Sequence, residues 1–178
     1  MSRRLSSITD CIISLSLTNI LACLPLLRFP QGGTISLMPI PLLILSFRQG
    51  AKIASFTSCL AGLSLLMWDG HFLHPIQIVL DYGLSYLSFG LVGYHIKPNS
   101  PALLARCSLA FLSYFTCLFI SGICFYGLYA PNKSPLIFYS LGYNASYCLP
   151  QATLVTLIIL VIYQNHPRLL FPNQKGPL

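Results

Sequence analysis

Six apolar runs, separated by short connections that carry the basic residues, constrain this chain more than any other feature in it. Window hydropathy places them at about 11–27, 35–47, 53–68, 75–94, 107–129 and 147–163. A helical crossing of a bilayer needs about 20 apolar residues, because hydrocarbon offers nothing to an unpaired backbone group. Composition agrees: 55% of the 178 residues are hydrophobic and 7% charged, against roughly 25% charged in a soluble domain. The chain therefore reads as an all-α integral membrane protein with six transmembrane helices. It forms a single domain over 1–178, ends in a flexible tail at 164–178, and sits in the cell (cytoplasmic) membrane as a multi-pass protein.

The net charge of +7 comes from ten Lys and Arg against three acids, Asp10, Asp69 and Asp81. Bases spread between apolar runs are not the clustered footprint of a nucleic-acid binder. Their distribution orients the chain instead. Arg3, Arg4, Arg48, Lys52, Lys97, Arg106, Arg168 and Lys175 fall on one side, and only Arg28 and Lys133 on the other. By the positive-inside rule both termini are cytoplasmic, with outer connections at 28–34, 69–74 and 130–146. The last of these, "PNKSPLIFYSLGYNASY", reads as a loop aromatic enough to serve as a lid. It carries two glycosylation sequons, at Asn132 and Asn144. The second run is short and contains Pro39 and Pro41, which fits either a broken helix beside a binding region or a simple kink. The first run ends without a small-x-small cleavage pattern and stays as helix one. Seven cysteines, without CxxC spacing and without a ligand cluster among the four histidines, read as small apolar residues, so no metal and no cofactor is expected.

Within the fourth run, His74, Gln77, Asp81, Ser85 and Ser88 recur at helical spacing and form one polar stripe. An acid at a helix centre costs ~3 kcal/mol to insert, and no Lys or Arg lies inside any run to neutralise it. Either Asp81 is neutral and hydrogen-bonded, or its countercharge arrives with a ligand. Tyr82, Phe125, Tyr126, Tyr129, Tyr139, Tyr143, Asn144 and Tyr147 gather at the same outer side. Such a set suits a cationic ring, and it equally suits an interfacial aromatic belt. Ser14, Thr18 and Ala22 recur every four residues on helix one and permit close helix approach, within the bundle or to a partner. Paired carboxylates, HExxH, GxSxG and P-loop motifs are all missing, so the chain reads as no enzyme and cannot hydrolyse ATP itself.

Taken in order, "LRFPQGGTISLMPIPLLILSFRQGAKIASFTSCLAGL", "HPIQIVLDYGLSYLSFGLVG", "FISGICFYGLYAP" and "SLGYNASYCLPQA" resemble the thiamine-specific substrate-binding (S) component of energy-coupling factor (ECF) transporters. The resemblance covers roughly residues 27–152, and the HPxQxxLDY and YNxSYxLP patterns are its most specific parts. It implies a six-helix protein that captures thiamine, or a related cationic heteroaromatic molecule, from outside. It also implies docking on an ECF coupling membrane subunit with two ATPase subunits, in the lipid bilayer and without nucleic acid. By this resemblance Asp81, Tyr82, Tyr126, Tyr139 and Asn144 contact the ligand. Ser14, Thr18 and Ala22 correspond to the docking stripe, and Pro30, Gln31, Gly32 and Gly33 to the gating loop. Leu118 and Tyr126 stand where the family has a histidine and a tryptophan. Two alternatives remain beside this reading: an S component for another vitamin or a thiamine precursor, and a membrane assembly subunit that binds no ligand.

Overall fold

A computed structural model describes residues 3–30, 32–69, 74–93, 99–125 and 135–172. Helix α1 (Arg3–Cys23) leads into a small antiparallel hairpin, β1 (Leu27–Arg28) and β2 (Thr34–Ile35). Then come α2 (Pro39–Gln49) and α3 (Ala51–Asp69). A helical element at 75–91, here α4, consists of Pro75–Ile78, a π-helical stretch Val79–Leu84 and Ser85–Leu91. Helices α5 (Ser100–Phe125) and α6 (Leu136–Asn165) follow, and the short α7 (Pro167–Leu170) ends the described chain.

The solvent of this bundle is lipid, and its surface shows it. Ile8, Ile12 and Ile20 of α1, Leu109 and Leu112 of α5, and Leu149, Leu157 and Val161 of α6 are all exposed. In water such a surface would be an aggregation hazard; in hydrocarbon it carries no cost. Among the described residues, α1, α5 and α6 are each long and apolar enough to cross a bilayer.

Helix α2 is different. Its 11 residues rise about 16 Å, half of a hydrocarbon core, and Pro39, Pro41, Leu42, Leu43, Leu45, Ser46 and Phe47 are buried. Both prolines lie in its first turn, where the backbone N–H groups have no helical acceptor anyway. They begin the helix rather than kink or break it. The residues before it, expected to be helical from 35, form the hairpin strand and a turn.

Several other boundaries move. Helix α1 begins eight residues earlier than the apolar run and ends at Cys23. Helix α5 begins at Ser100, and α6 begins at Leu136 instead of 147, so much of the expected last outer loop is helix. The tail also differs from its expectation. After Asn165 the chain turns into α7, where Leu170 is fully buried and Phe171 packs on Phe47, ring centroids 5.9 Å apart. The cysteines divide: Cys107 and Cys148 are buried, while Cys23 and Cys124 are exposed.

The core joins α2, α4, α5 and α6 around Leu42, Leu43, Phe89, Leu103, Val155 and Ile159. Close packing of α3 on α4 depends on Gly62, since a Cβ there would overlap the Tyr82 carbonyl. At the end that carries the termini, Arg48 pairs with Asp10 at 3.1 Å and donates to the Leu169 carbonyl at 3.0 Å. Gln49 donates to the same carboxylate and accepts from Ser7. Helices α1, α2 and α7 are tied there by one polar knot.

Candidate functional site

At the opposite end, by the hairpin, the bundle encloses a cavity of about 300 Å³, at the lower limit of typical small-molecule sites. Its walls come from α1, the hairpin, α3, α4, α5 and α6. Asp81, Tyr82, Tyr139 and Asn144, four of the five expected ligand contacts, all line it. The fifth, Tyr126, lies outside the described residues, as does Tyr129.

The acid is presented by the π-helical stretch. Ser85 N–H bonds the Leu80 carbonyl five residues back, so it passes over the carbonyl of Asp81. Ser85 Oγ takes up that acceptor. Wide turns of this kind often sit at functional sites because they re-aim a side chain without ending the helix. Gln77 Nε2 donates to Asp81 Oδ2 at 3.1 Å. Ser121 of α5 faces the same carboxyl group, yet Asp81 Oδ1 and Ser121 Oγ are both buried without a hydrogen-bond partner among the described residues. The polar stripe of the fourth run thus turns inward at Gln77, Ser85 and Ser88, all buried. His74 leaves it: its ring accepts from Ile76 N–H as an N-cap and stacks on Phe125, centroids 5.5 Å apart.

Six of the ten tyrosines, at 82, 86, 114, 139, 143 and 147, line the cavity. Three are successive members of one face of α6, where Tyr139 stacks on Tyr143 at 6.1 Å and Tyr143 meets Tyr147 edge-on at 5.6 Å. Below them, Phe89 packs on Tyr114 at 5.0 Å and on Phe111 at 5.3 Å, forming an aromatic floor. Asn144 is held on all sides. Its Nδ2 donates to the Ser140 carbonyl and Oγ, and its Oδ1 accepts from Tyr147. Being buried within a helix, Asn144 is no glycosylation acceptor; Asn132 lies outside the described residues.

The hairpin covers part of the cavity. Gly33 N–H donates to Tyr143 Oη at 3.0 Å, and a Cβ on Gly33 would collide with the Tyr147 ring. Phe29 packs against Tyr143 and Tyr147, at 6.4 and 5.9 Å. Of the four expected gating residues, Gly33 is buried in this contact, Pro30 and Gly32 are exposed at the turn, and Gln31 lies outside the described residues.

The expected docking stripe lies along the inner side of α1. Ser14 is 7% and Thr18 0% exposed, and Ala22 lines the cavity. Small side chains here let α1 lie against its own bundle. Sequence reading also passed over Tyr86, Tyr114 and Ser121. Tyr86 follows Tyr82 at a spacing of four, which could have revealed it; Tyr114 and Ser121 sit in an apolar run without periodic contrast.

Comparison with known proteins gives concordant results. The family model described as thiamine transporter protein (Thia_YuaJ) matches residues 8–171. The thiamine transporter ThiT of Bacillus subtilis (strain 168) is 32% identical over 157 residues, covering 81% of this chain and 82% of the relative. ThiT of Lacticaseibacillus paracasei is 26% identical over 147 residues, 73% of each. A solved structure of ThiT from Listeria monocytogenes aligns with a TM-score of 0.83 at 22% identity, over 95% of this chain and 99% of that one, and so shares its fold.

Proposed function

Because the chain belongs to the thiamine transporter protein family, we propose that it is a thiamine-binding S component that captures its ligand in the tyrosine-lined cavity. The observation that carries this reading is Asp81, which lines the tyrosine-walled cavity and has one carboxyl oxygen buried without a hydrogen-bond partner among the described residues. A thiazolium ring supplies the missing positive charge. Tyrosine faces hold a desolvated cation by about 2 kcal/mol or more through their π electrons. Asp81 meets that charge, Tyr82, Tyr126 and Tyr139 form the aromatic walls, and Asn144 orients the second ring or the tyrosines around it. Nothing in this chemistry alters the ligand: the chain binds and releases thiamine unchanged.

The hairpin end faces outward in this reading, in keeping with eight of ten bases on the other side. Pro30, Gln31, Gly32 and Gly33 form the gate. Energy for uphill uptake comes from an ECF coupling membrane subunit and two ATPase subunits.

Leu118 on the cavity wall supports a second reading, capture of another cationic heteroaromatic vitamin or a thiamine precursor. A ligand-free assembly subunit is disfavoured by the same geometry, since a scaffold gains nothing from a 300 Å³ opening beside a half-satisfied acid. Calorimetric titration of the purified protein with thiamine tests the proposal. Saturable heat at micromolar thiamine or below, weakened in Asp81→Asn, is expected; no heat in the wild-type protein sinks it. Mass spectrometry of a co-purified ligand separates thiamine from its competitors.

A further inference from the structure

Serine and threonine inside a helix commonly return their hydroxyl to a carbonyl one turn back, the nearest acceptor where water is excluded. Thr57, Ser85, Ser88, Thr116 and Thr153 do so here, donating to the carbonyls of Ile53, Asp81, Leu84, Leu112 and Leu149. Ser121 does not. Its Oγ is buried, makes no hydrogen bond among the described residues, and is turned to the Asp81 carboxyl group across the contact between α4 and α5. The residues around it fix where that hydroxyl stands. Gly122 lets α6 approach so closely that a Cβ there would overlap Ser140 Oγ, and Ser140 Oγ donates to the Phe119 carbonyl at 2.9 Å. Helix α5 is thus clamped to α6 within one turn of Ser121. Leu118 and Gly122 line the cavity, whereas Ser121, 0% exposed, stands behind its wall. Any effect of this hydroxyl on a ligand is therefore carried by the acid.

We propose that Ser121 is a positioning residue for Asp81: when the cavity takes up a cation, the Ser121 hydroxyl donates to Oδ1 while Gln77 keeps Oδ2. This rests on the thiamine reading above and assigns recognition of the ligand's charge to an acid held from two helices. Gln77 lies one turn from Asp81 on the same helix and holds one oxygen at 3.1 Å, which leaves the carboxyl plane able to swing about that bond. A second donor, from α5, fixes the plane. The carboxylate then meets the ring cation without reorganising, and contacts of this kind tighten in the complex with ligand.

Calorimetric titrations of the full chain compare thiamine with its neutral isostere, in which a thiophene ring replaces the thiazolium. The readout is the ratio of the two dissociation constants, isostere over thiamine, which a general loss of folded protein leaves unchanged. Ser121→Ala is expected to lower that ratio by about tenfold, the order of magnitude for a buried hydrogen bond to a charged group, by weakening thiamine alone. In an Asp81→Asn background the same alanine substitution is expected to leave the ratio where it stands, because the hydroxyl no longer has a charge to hold. A ratio unchanged by Ser121→Ala in the otherwise wild-type chain, or an equal fall with and without the Asp81 carboxylate, overturns the positioning role while the thiamine reading stands. A wild-type protein that binds neither compound overturns both.

Discussion

At the scale of single residues the molecule turns on one acid and what surrounds it. Asp81 keeps Gln77 as a donor, and its other oxygen is buried without a hydrogen-bond partner among the described residues. Replacing it with asparagine removes the charge while retaining shape. Thiamine affinity is expected to fall by about 100-fold, the order of magnitude for breaking a desolvated charge pair, with the melting temperature of the ligand-free protein little changed. Calorimetry and a thermal melt on the same preparation check both halves. Gly33→Ala probes the lid: its methyl group would meet the Tyr147 ring and lift the hairpin from Tyr143. Stopped-flow mixing should then show ligand dissociating faster than from the wild type. The acid itself was legible in the sequence, because a charge inside an apolar run has few innocent explanations. The partners of Asn144 were not, since Ser140 and Tyr147 are polar residues that read as loop.

Among the elements, the polar stripe of α4 followed from spacing alone, and burial of Gln77, Ser85 and Ser88 agrees with it. The π-helical stretch did not follow, because nothing in "VLDYGL" announces a wider turn. Helix α6 shows the same limit from the other side. Gly142, Asn144 and the preceding prolines suggest a loop, yet Ser140, Asn144, Tyr147 and Gln151 recur on one buried face while Leu136, Ile137, Leu141 and Leu149 face outward. Tertiary packing outweighs the turn-forming residues, and a period of 3.6 in polarity was the signal to read. Small residues on α1 were legible as close-approach sites, and Ser14 and Thr18 are buried against the bundle. Gly62 is the better example of their role: Gly62→Val forces α3 away from the Tyr82 backbone. A loss of about 2 kcal/mol in stability is expected, together with weaker thiamine binding because Tyr82 adjoins the acid. Thermal unfolding and calorimetry measure the two effects.

Across the whole molecule the two ends divide the work. One end carries the Asp10, Arg48 and Gln49 knot that ties α1, α2 and α7, and the other carries the cavity and its hairpin. Arg48→Gln is expected to lower stability by about 1–2 kcal/mol through the loss of a half-buried, hydrogen-bonded ion pair, while thiamine affinity stays at the wild-type value. A thermal melt with and without ligand distinguishes that outcome from a coupled one. Six spans were legible from hydropathy, though the shortness of α2 had a cause that hydropathy hides: the hairpin takes the place of its outer half. Between cavity and knot lies the aromatic floor of Phe89, Phe111 and Tyr114. That floor makes the protein a cup and not a pipe, which has an electrical consequence. Filling the cup opens no conducting path, so a voltage-clamped planar bilayer containing this chain alone should pass no current when thiamine is added.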